Sequence, residues 1–286
     1  MKRPSNWRLW KVKSEHGAGL ATGQSAGLDH LEAQTLLLHA VAQDPHDRAW
    51  LLLHDTDFLD AEQLSRFNAW VQRRLQHEPL AYLTGWQDFH GLRLQVDKRV
   101  LVPRPDTETL VDWALEIGPP AAQVLDLGTG SGAIALALKH ARPDWLLSAV
   151  DASDDALQVA QANAQRLGLA VQFLQGDWLS GVQGRFDLIV SNPPYIADAD
   201  PHLPALQAEP QSALVSGADG LVDIRAVAAQ APAHLLPGGW LLLEHGFDQA
   251  AAVQALLVQA GYAQVQSRKD LAGIQRCTGG QWPEVK

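Results

Sequence analysis

The 286 residues, 47% of them apolar, exceed a typical single domain and can bury a sizeable core, so one large domain with a smaller one is the expected organisation. Against 32 acidic residues stand 22 basic ones; the formal charge of -10 argues against a nucleic-acid backbone as the main partner, a local basic patch excepted. The single cysteine, Cys277, excludes an intrachain disulfide and fits a reducing, cytoplasmic setting, and no apolar run approaches the ~20 residues of a membrane span.

Residues 1–23 carry Lys2, Arg3, Arg8, Lys11 and Lys13 without an apolar core, so they do not read as a secretory signal. They read as a basic, disordered tail, with a transit peptide left open beside it. Apolar residues at helical spacing follow over 27–43 (Leu28, Leu31, Leu36, Leu37) and over 60–77 (Leu64, Phe67, Val71, Leu75), with a short helix expected at 48–53 between them. Asp60 with Gln63 resembles a capping box. Residues 24–85 therefore read as a small helical bundle, with Trp50 and Trp70 in its core and His77-Glu78 at a solvated helix end.

From Phe89 the period becomes two (Leu92, Leu94, Val96), and Val100-Leu101-Val102 follows a polar stretch at Asp97-Lys98-Arg99, which predicts a hairpin turning there. Residues 86–106 are taken as the linker between domains. In Pro103-Arg104-Pro105-Asp106-Thr107-Glu108 the prolines make an extended entry, and Asp106 or Thr107 is expected to cap the next helix. Over 107–286 apolar strands and helices alternate, the pattern of a parallel sheet with helices on both faces. Pro232 is expected to shorten its helix.

The chemistry gathers at two strand ends. Asn192-Pro193-Pro194-Tyr195 follows the apolar run of 186–190, and two consecutive prolines must end that strand because neither can donate to a ladder. Asn192 is thereby held on stiff, extended backbone where it can accept from a planar NH2 group. Asn beside Pro also commonly caps a turn, so the tetrapeptide needs support from elsewhere.

That support lies in Asp126-Leu127-Gly128-Thr129-Gly130-Ser131-Gly132, a glycine loop between a buried strand and a helix, where a ligand can approach the backbone. Asp151 ends the next strand, placed to bind both hydroxyls of a ribose. Gly128-x-Gly130-x-x-Ala133 also satisfies a dinucleotide fingerprint, so a nicotinamide oxidoreductase competes. Asp126 separates the readings, since a carboxylate there would repel a pyrophosphate and suits the ammonium and sulfonium of S-adenosylmethionine. Asp177-Trp178 adds a polar edge and an aromatic face for adenine, ordinary packing being the alternative for Trp178. In a sheet ordered 3-2-1-4-5 the glycine loop leaves strand 1 and Asn192 leaves strand 4, so the two flank one crevice. The 11 histidines show no metal-ligand spacing, and no metal is expected.

These residues resemble an amino-methyltransferase of the Rossmann-like class. More specifically, Pro103 to Glu108, Ser191 to Ile196, Glu209-Pro210 with Ala213-Leu214, and Leu243-Glu244-His245-Gly246 are similar to the bacterial release-factor glutamine methyltransferases of the HemK/PrmC type, from about Glu78 onward. The resemblance implies a class I S-adenosylmethionine-dependent methyltransferase domain with a seven-stranded, mostly parallel sheet, behind a helical N-terminal domain that helps grip the substrate. It implies methylation of the glutamine side-chain nitrogen in the Gly-Gly-Gln motif of class 1 peptide chain release factors. On that pattern the Asn192 oxygen and the Pro193 carbonyl accept the glutamine NH2 protons, and Tyr195 walls the pocket. Two departures stand out: Trp7 and Trp10 in an atypical start, and Ala208 where the family carries an aromatic or basic residue. A nucleic-acid amino-methyltransferase is the nearest rival, disfavoured by the acidic balance and the lack of a basic recognition domain. A cofactor-binding protein that docks to a translation factor without chemistry is the non-enzymatic one.

Overall fold

The computed structural model describes residues 27–54 and 59–284. The expected tail at 1–23, with Trp7 and Trp10, lies outside the described residues. The chain divides into two compact units, Met1–Gly85 and Trp86–Lys286. No helix among the described residues is long and apolar enough to cross a membrane.

In the first unit the described helices are α1 (His30–Ala40), α2 (Arg48–Leu53), α3 (Ala61–Leu75) and the short α4 (Leu80–Thr84). Their starts are chemically marked. Asp29 accepts from the Leu31 amide, Asp47 from that of Trp50, and Asp60 and Gln63 form a reciprocal capping box. Leu36, Leu38, Phe67 and Val71 are buried together, with Trp50 and Trp70 packed against them.

The second unit opens with a two-stranded hairpin, β1 (Trp86–Phe89) paired with β2 (Leu92–Gln95). Its turn is His90-Gly91, at φ of 45° and 75°. Two successive positive φ values match the right-handed strand twist, which is why the hairpin turns there. The expected turn at Asp97–Arg99 is thus corrected. That stretch closes locally, through the Val100 amide on the Asp97 carbonyl and an Arg99–Asp97 pair at 2.7 Å, and residues 100–102 form no strand. The hairpin is also part of the second unit. Asn163, fully buried, accepts from the Gln95 amide at 2.7 Å and donates to the Gln95 carbonyl at 2.9 Å, serving as a ladder partner.

A 3-10 turn at Pro105–Thr107 leads into α5 (Glu108–Ile117), and neither Asp106 nor Thr107 makes the expected cap. Thr107 is already helical at φ -65° and ψ -19°, whereas a capping side chain needs non-helical backbone. Asp106 pairs instead with Arg276 at 3.2 Å.

Then follow β3 (Gln123–Leu127), α6 (Ala133–Ala141), β4 (Leu146–Asp151), α7 (Asp154–Leu167), β5 (Gln172–Gln175), β6 (Phe186–Ser191), α8 (Val222–Gln230), β7 (Leu235–Glu244), α9 (Ala250–Gln259), β8 (Ala263–Lys269) and β9 (Gln275–Gln281). α8 stops before a 3-10 turn that holds Pro232. The sheet is seven-stranded, ordered β5-β4-β3-β6-β7-β9-β8, and only β9 runs against the rest. Alternate residues feed opposite cores. Val124, Leu188 and Leu242 pack with Trp113 and Leu136 on one face; Leu125, Ile189 and Leu241 pack with Ile224 and Val253 on the other. Burial on both faces explains why these strands read as unbroken apolar runs. β3 and β6 are neighbours, Leu127 level with Ser191, and chain order reverses between them. Their carboxyl ends border the crevice at which such sheets bind ligands.

Candidate active site

The loop leaving β3 is fastened to β4. The amides of Gly128 and Thr129 both donate to the Val150 carbonyl, and the Gly130 amide donates to Asp151 Oδ2 at 2.8 Å. Gly130 adopts φ 56° with open space where a side chain would stand, so a ligand can reach the bare backbone. At Gly132, φ 85°, a Cβ would come within 3.0 Å of Leu136 and 3.2 Å of Ala160, so this glycine lets α6 and α7 approach.

Asp126 sits otherwise than expected. Side chains alternate along a strand, and Asp126 shares the side of Val124 that meets α6. Its Oδ2 accepts from Thr129 Oγ1 at 2.7 Å and from the Ala135 amide at 3.2 Å, while Oδ1 is buried without a hydrogen bond. Burial lifts its pKa to about 7, against the pull of those two bonds. Asp126, Thr129, Ser131 and Gly132 therefore shape the loop from behind. Gly128 and Gly130 line the cleft.

That cleft, about 280 Å³, brings these glycines together with Asp151, Asp177, Trp178, Asn192 and Pro194. Asp151 accepts one amide on each oxygen, Gly130 on Oδ2 and Ser153 on Oδ1, which leaves each oxygen a free lone pair. Trp178 is held at φ 51°, its indole donating to Asp223 Oδ1 at 3.2 Å. Asp223 is fixed in turn by Ser216 Oγ on Oδ2 at 2.7 Å.

The second strand end is tied to the first, since Ser191 Oγ donates to the Leu127 carbonyl at 2.7 Å. Asn192 Nδ2 donates to Thr107 Oγ1 at 3.1 Å. Pro193 is buried, and neither it nor Tyr195 lines the cleft. The Tyr195 hydroxyl donates to Glu244 Oε1 at 3.3 Å, and burial, then the nearby Glu244 charge, pushes its pKa up. Glu244 is 1% exposed, with Oε2 lacking a hydrogen bond. Burial raises its pKa to about 7, while the hydroxyls of Thr107 and Tyr195 oppose the rise.

Several site residues were given no role by the sequence, Glu209, Pro210 and Ala213 entering only through the resemblance. Arg99 to Leu101 form one wall of the cleft and Pro210, Ser212 and Ala213 another. Glu209 joins the two, accepting from the Val102 amide at 3.0 Å and pairing with Arg104. Asn163, which also donates to the Ser131 carbonyl at 3.0 Å, ties the hairpin to the glycine loop. Among the described residues no group of three or more His, Cys, Asp or Glu is placed to hold a metal ion.

The residues fit S-adenosylmethionine on two counts of geometry, the bare backbone at Gly130 and the free lone pairs of Asp151 in the same cleft. Comparison with known proteins agrees. Residues 107–219 match the Methyltransferase small domain family, and residues 21–85 match the PrmC N-terminal domain. A release factor glutamine methyltransferase of Bordetella pertussis is 49% identical over 260 residues, 89% of this chain and 95% of its own length. One of Pseudomonas aeruginosa is 50% identical over 252 residues, 86% of this chain and 91% of its own. A methyltransferase from Pyrococcus furiosus shares the fold at TM-score 0.56 and 18% identity, over 76% of this chain and 99% of that one.

Proposed function

Since the chain belongs to the release factor glutamine methyltransferase family, we propose that it transfers a methyl group from S-adenosylmethionine to the side-chain nitrogen (N5) of the glutamine in the Gly-Gly-Gln motif of class 1 peptide chain release factors. The observation that carries the reading is the orientation of Asn192. Its NH2 is engaged by Thr107, so its oxygen is the end left for the cleft that the glycine loop also lines.

The cofactor, when bound, supplies an electrophilic methyl group on a sulfonium centre. Gly130 would present backbone to it, Asp151 would accept the ribose hydroxyls, and Asp177 and Trp178 would border the adenine. An amide nitrogen is a poor nucleophile because its lone pair is delocalised into the carbonyl. The Asn192 oxygen accepts one of its N–H groups and the family pattern gives the other to the carbonyl of Pro193, which stands outside the lining of this cleft; together they favour the form in which the lone pair points at the methyl carbon. The N–C bond forms as the methyl–sulfur bond breaks, the sulfonium leaving as a neutral thioether, and one N–H proton is released to solvent, so that a neutral N-methyl amide remains. Pro194 narrows the cleft, and Tyr195, bonded to Glu244, supports the tetrapeptide from behind. The helical unit serves to grip the release factor, a translation factor, which places the reaction in the cytoplasm; nucleic acid and membrane play no direct part.

The test is single-turnover methylation with labelled S-adenosylmethionine, offering release factor, tRNA, rRNA and DNA separately. Label should enter the release factor alone. Asn192→Ala should slow transfer by about 10²–10³, the usual cost of losing an acceptor or donor that acts at the reacting centre. A wild-type rate for that variant would reduce the tetrapeptide to a structural turn.

A further inference from the structure

Asn192 has two chemically opposite ends, and only one serves the glutamine-binding reading above, on which this inference rests. Its carboxamide oxygen accepts and its NH2 donates, while the two ends are nearly equal in size. Shape therefore does not choose between them. A side chain turned end for end would offer donors to a substrate NH2 group that needs acceptors.

The choice falls to the partner of the inward end, Thr107 Oγ1, on a residue only 4% exposed. A hydroxyl has one hydrogen and two lone pairs. It stays an acceptor toward Asn192 when its hydrogen is given elsewhere. Glu244 is the buried carboxyl at hand: it takes the Tyr195 hydroxyl on Oε1, and the Thr107 hydroxyl acts to lower its pKa. Its Oε2 is buried without a hydrogen bond, so it has capacity to spare.

We propose that Thr107 is a positioning residue, kept as an acceptor by Glu244, that fixes the Asn192 carboxamide with its oxygen toward the substrate. Above its raised pKa of about 7 Glu244 is a carboxylate and cannot donate, so there the direction of each bond follows from the far end. Thr107 donates to Glu244 and accepts from Asn192. Three sequence segments, at Thr107, Asn192 and Glu244, thus act as one unit although Thr107 and Glu244 touch neither substrate nor cofactor.

The experiment compares Thr107→Val, Thr107→Ser, Glu244→Gln and Asn192→Ala in the full chain. Single-turnover methylation of a Gly-Gly-Gln peptide is measured at saturating S-adenosylmethionine, with cofactor affinity from calorimetry. Thr107→Val should slow transfer by roughly 10- to 100-fold, the scale of a misaligned reacting group, with cofactor affinity unchanged. Thr107→Ser should restore the rate. Glu244→Gln, which can donate to Thr107 and release the hydroxyl hydrogen toward Asn192, should slow transfer in the same way and decides the matter if Thr107→Val does not fold. In the Asn192→Ala background Thr107→Val should add no further loss, because the bond it breaks is already absent. Wild-type rates for Thr107→Val and Glu244→Gln beside a slow Asn192→Ala would overturn this inference alone, as would full additivity of Thr107→Val with Asn192→Ala. A wild-type rate for Asn192→Ala would overturn the glutamine-binding reading and this inference with it.

Discussion

Glu209 accepts a hydrogen bond from the Val102 amide at 3.0 Å, through a side chain only 2% exposed. With its second oxygen on Arg104, one carboxylate clasps the segment of Arg99 to Leu101 to the loop of Pro210 to Ala213, two walls of the same cleft. Glu209→Ala leaves the Val102 amide buried without a partner, a loss of about 1–3 kcal/mol. The Arg104 side chain is 36% exposed and stays hydrated, so the cost stays near the share of the amide. Urea unfolding should show a lower midpoint and calorimetry a weaker cofactor. An unchanged midpoint with unchanged affinity would remove the clasp.

Asp151→Ala should weaken S-adenosylmethionine binding by roughly 1–3 kcal/mol, the scale of lost hydrogen bonds to a charged group. Asp151 also anchors the Gly130 and Ser153 amides, so part of that loss is loop order. Ligands lacking the ribose 2′-hydroxyl separate the parts: they should lose less affinity on Asp151→Ala than the full cofactor does. Titration with NAD should show no binding to either protein. Binding of NAD without S-adenosylmethionine would reverse the cofactor assignment.

Two buried carboxyls shape the pH dependence of stability. Asp126 is raised from 3.8 and Glu244 from 4.5, each to about 7, with burial as the leading cause. Between the ordinary and the raised values the folded chain keeps protons that the unfolded chain has released. Their stabilisation is therefore complete below about pH 4 and lost as pH rises through about 7. Carboxyls held low by arginines, such as Asp97 beside Arg99, act in the opposite sense at lower pH, so the difference between variants is the readout. Asp126→Asn should flatten the fall in urea midpoint from about pH 5 to about pH 8, and an identical slope would sink the assignment.

Deleting residues 1–85 should spare cofactor binding, since every residue lining the cleft belongs to the second unit. Methylation of intact release factor should drop more than methylation of a Gly-Gly-Gln peptide. An equal drop on both substrates would count against a docking role for the helices.

What was legible in the sequence is what local chemistry settles. The strands over 123–127 and 186–191 are apolar on both faces, and that pattern alone marks a sheet buried between helices. The capping box at Asp60 and Gln63 involves neighbours in the chain, and a local reading found it. The glycine loop and the Asn-Pro-Pro-Tyr stretch were legible because each is contiguous and each ends a strand. Their meeting at β3 and β6 followed from the order common to doubly wound sheets, which this sheet has.

The tertiary structure decided matters that depend on direction and on distant partners. Asp126 stands beside the glycines in sequence, yet the strand pleat turns it toward α6, beneath the loop. Thr107 was expected at a helix cap, but helical backbone and the arrival of Asn192 gave its hydroxyl another partner. Asp97–Arg99 looked like the hairpin turn, whereas His90-Gly91 supplied the positive φ values that strand twist favours. Glu209, Asp223 and Asn163 are single polar residues whose partners lie far along the chain, and no periodicity marks such a residue. Burial leaves each of them a costly choice, to find a partner or lose the hydrogen bonds it had in water. Only the folded chain shows which partner it found.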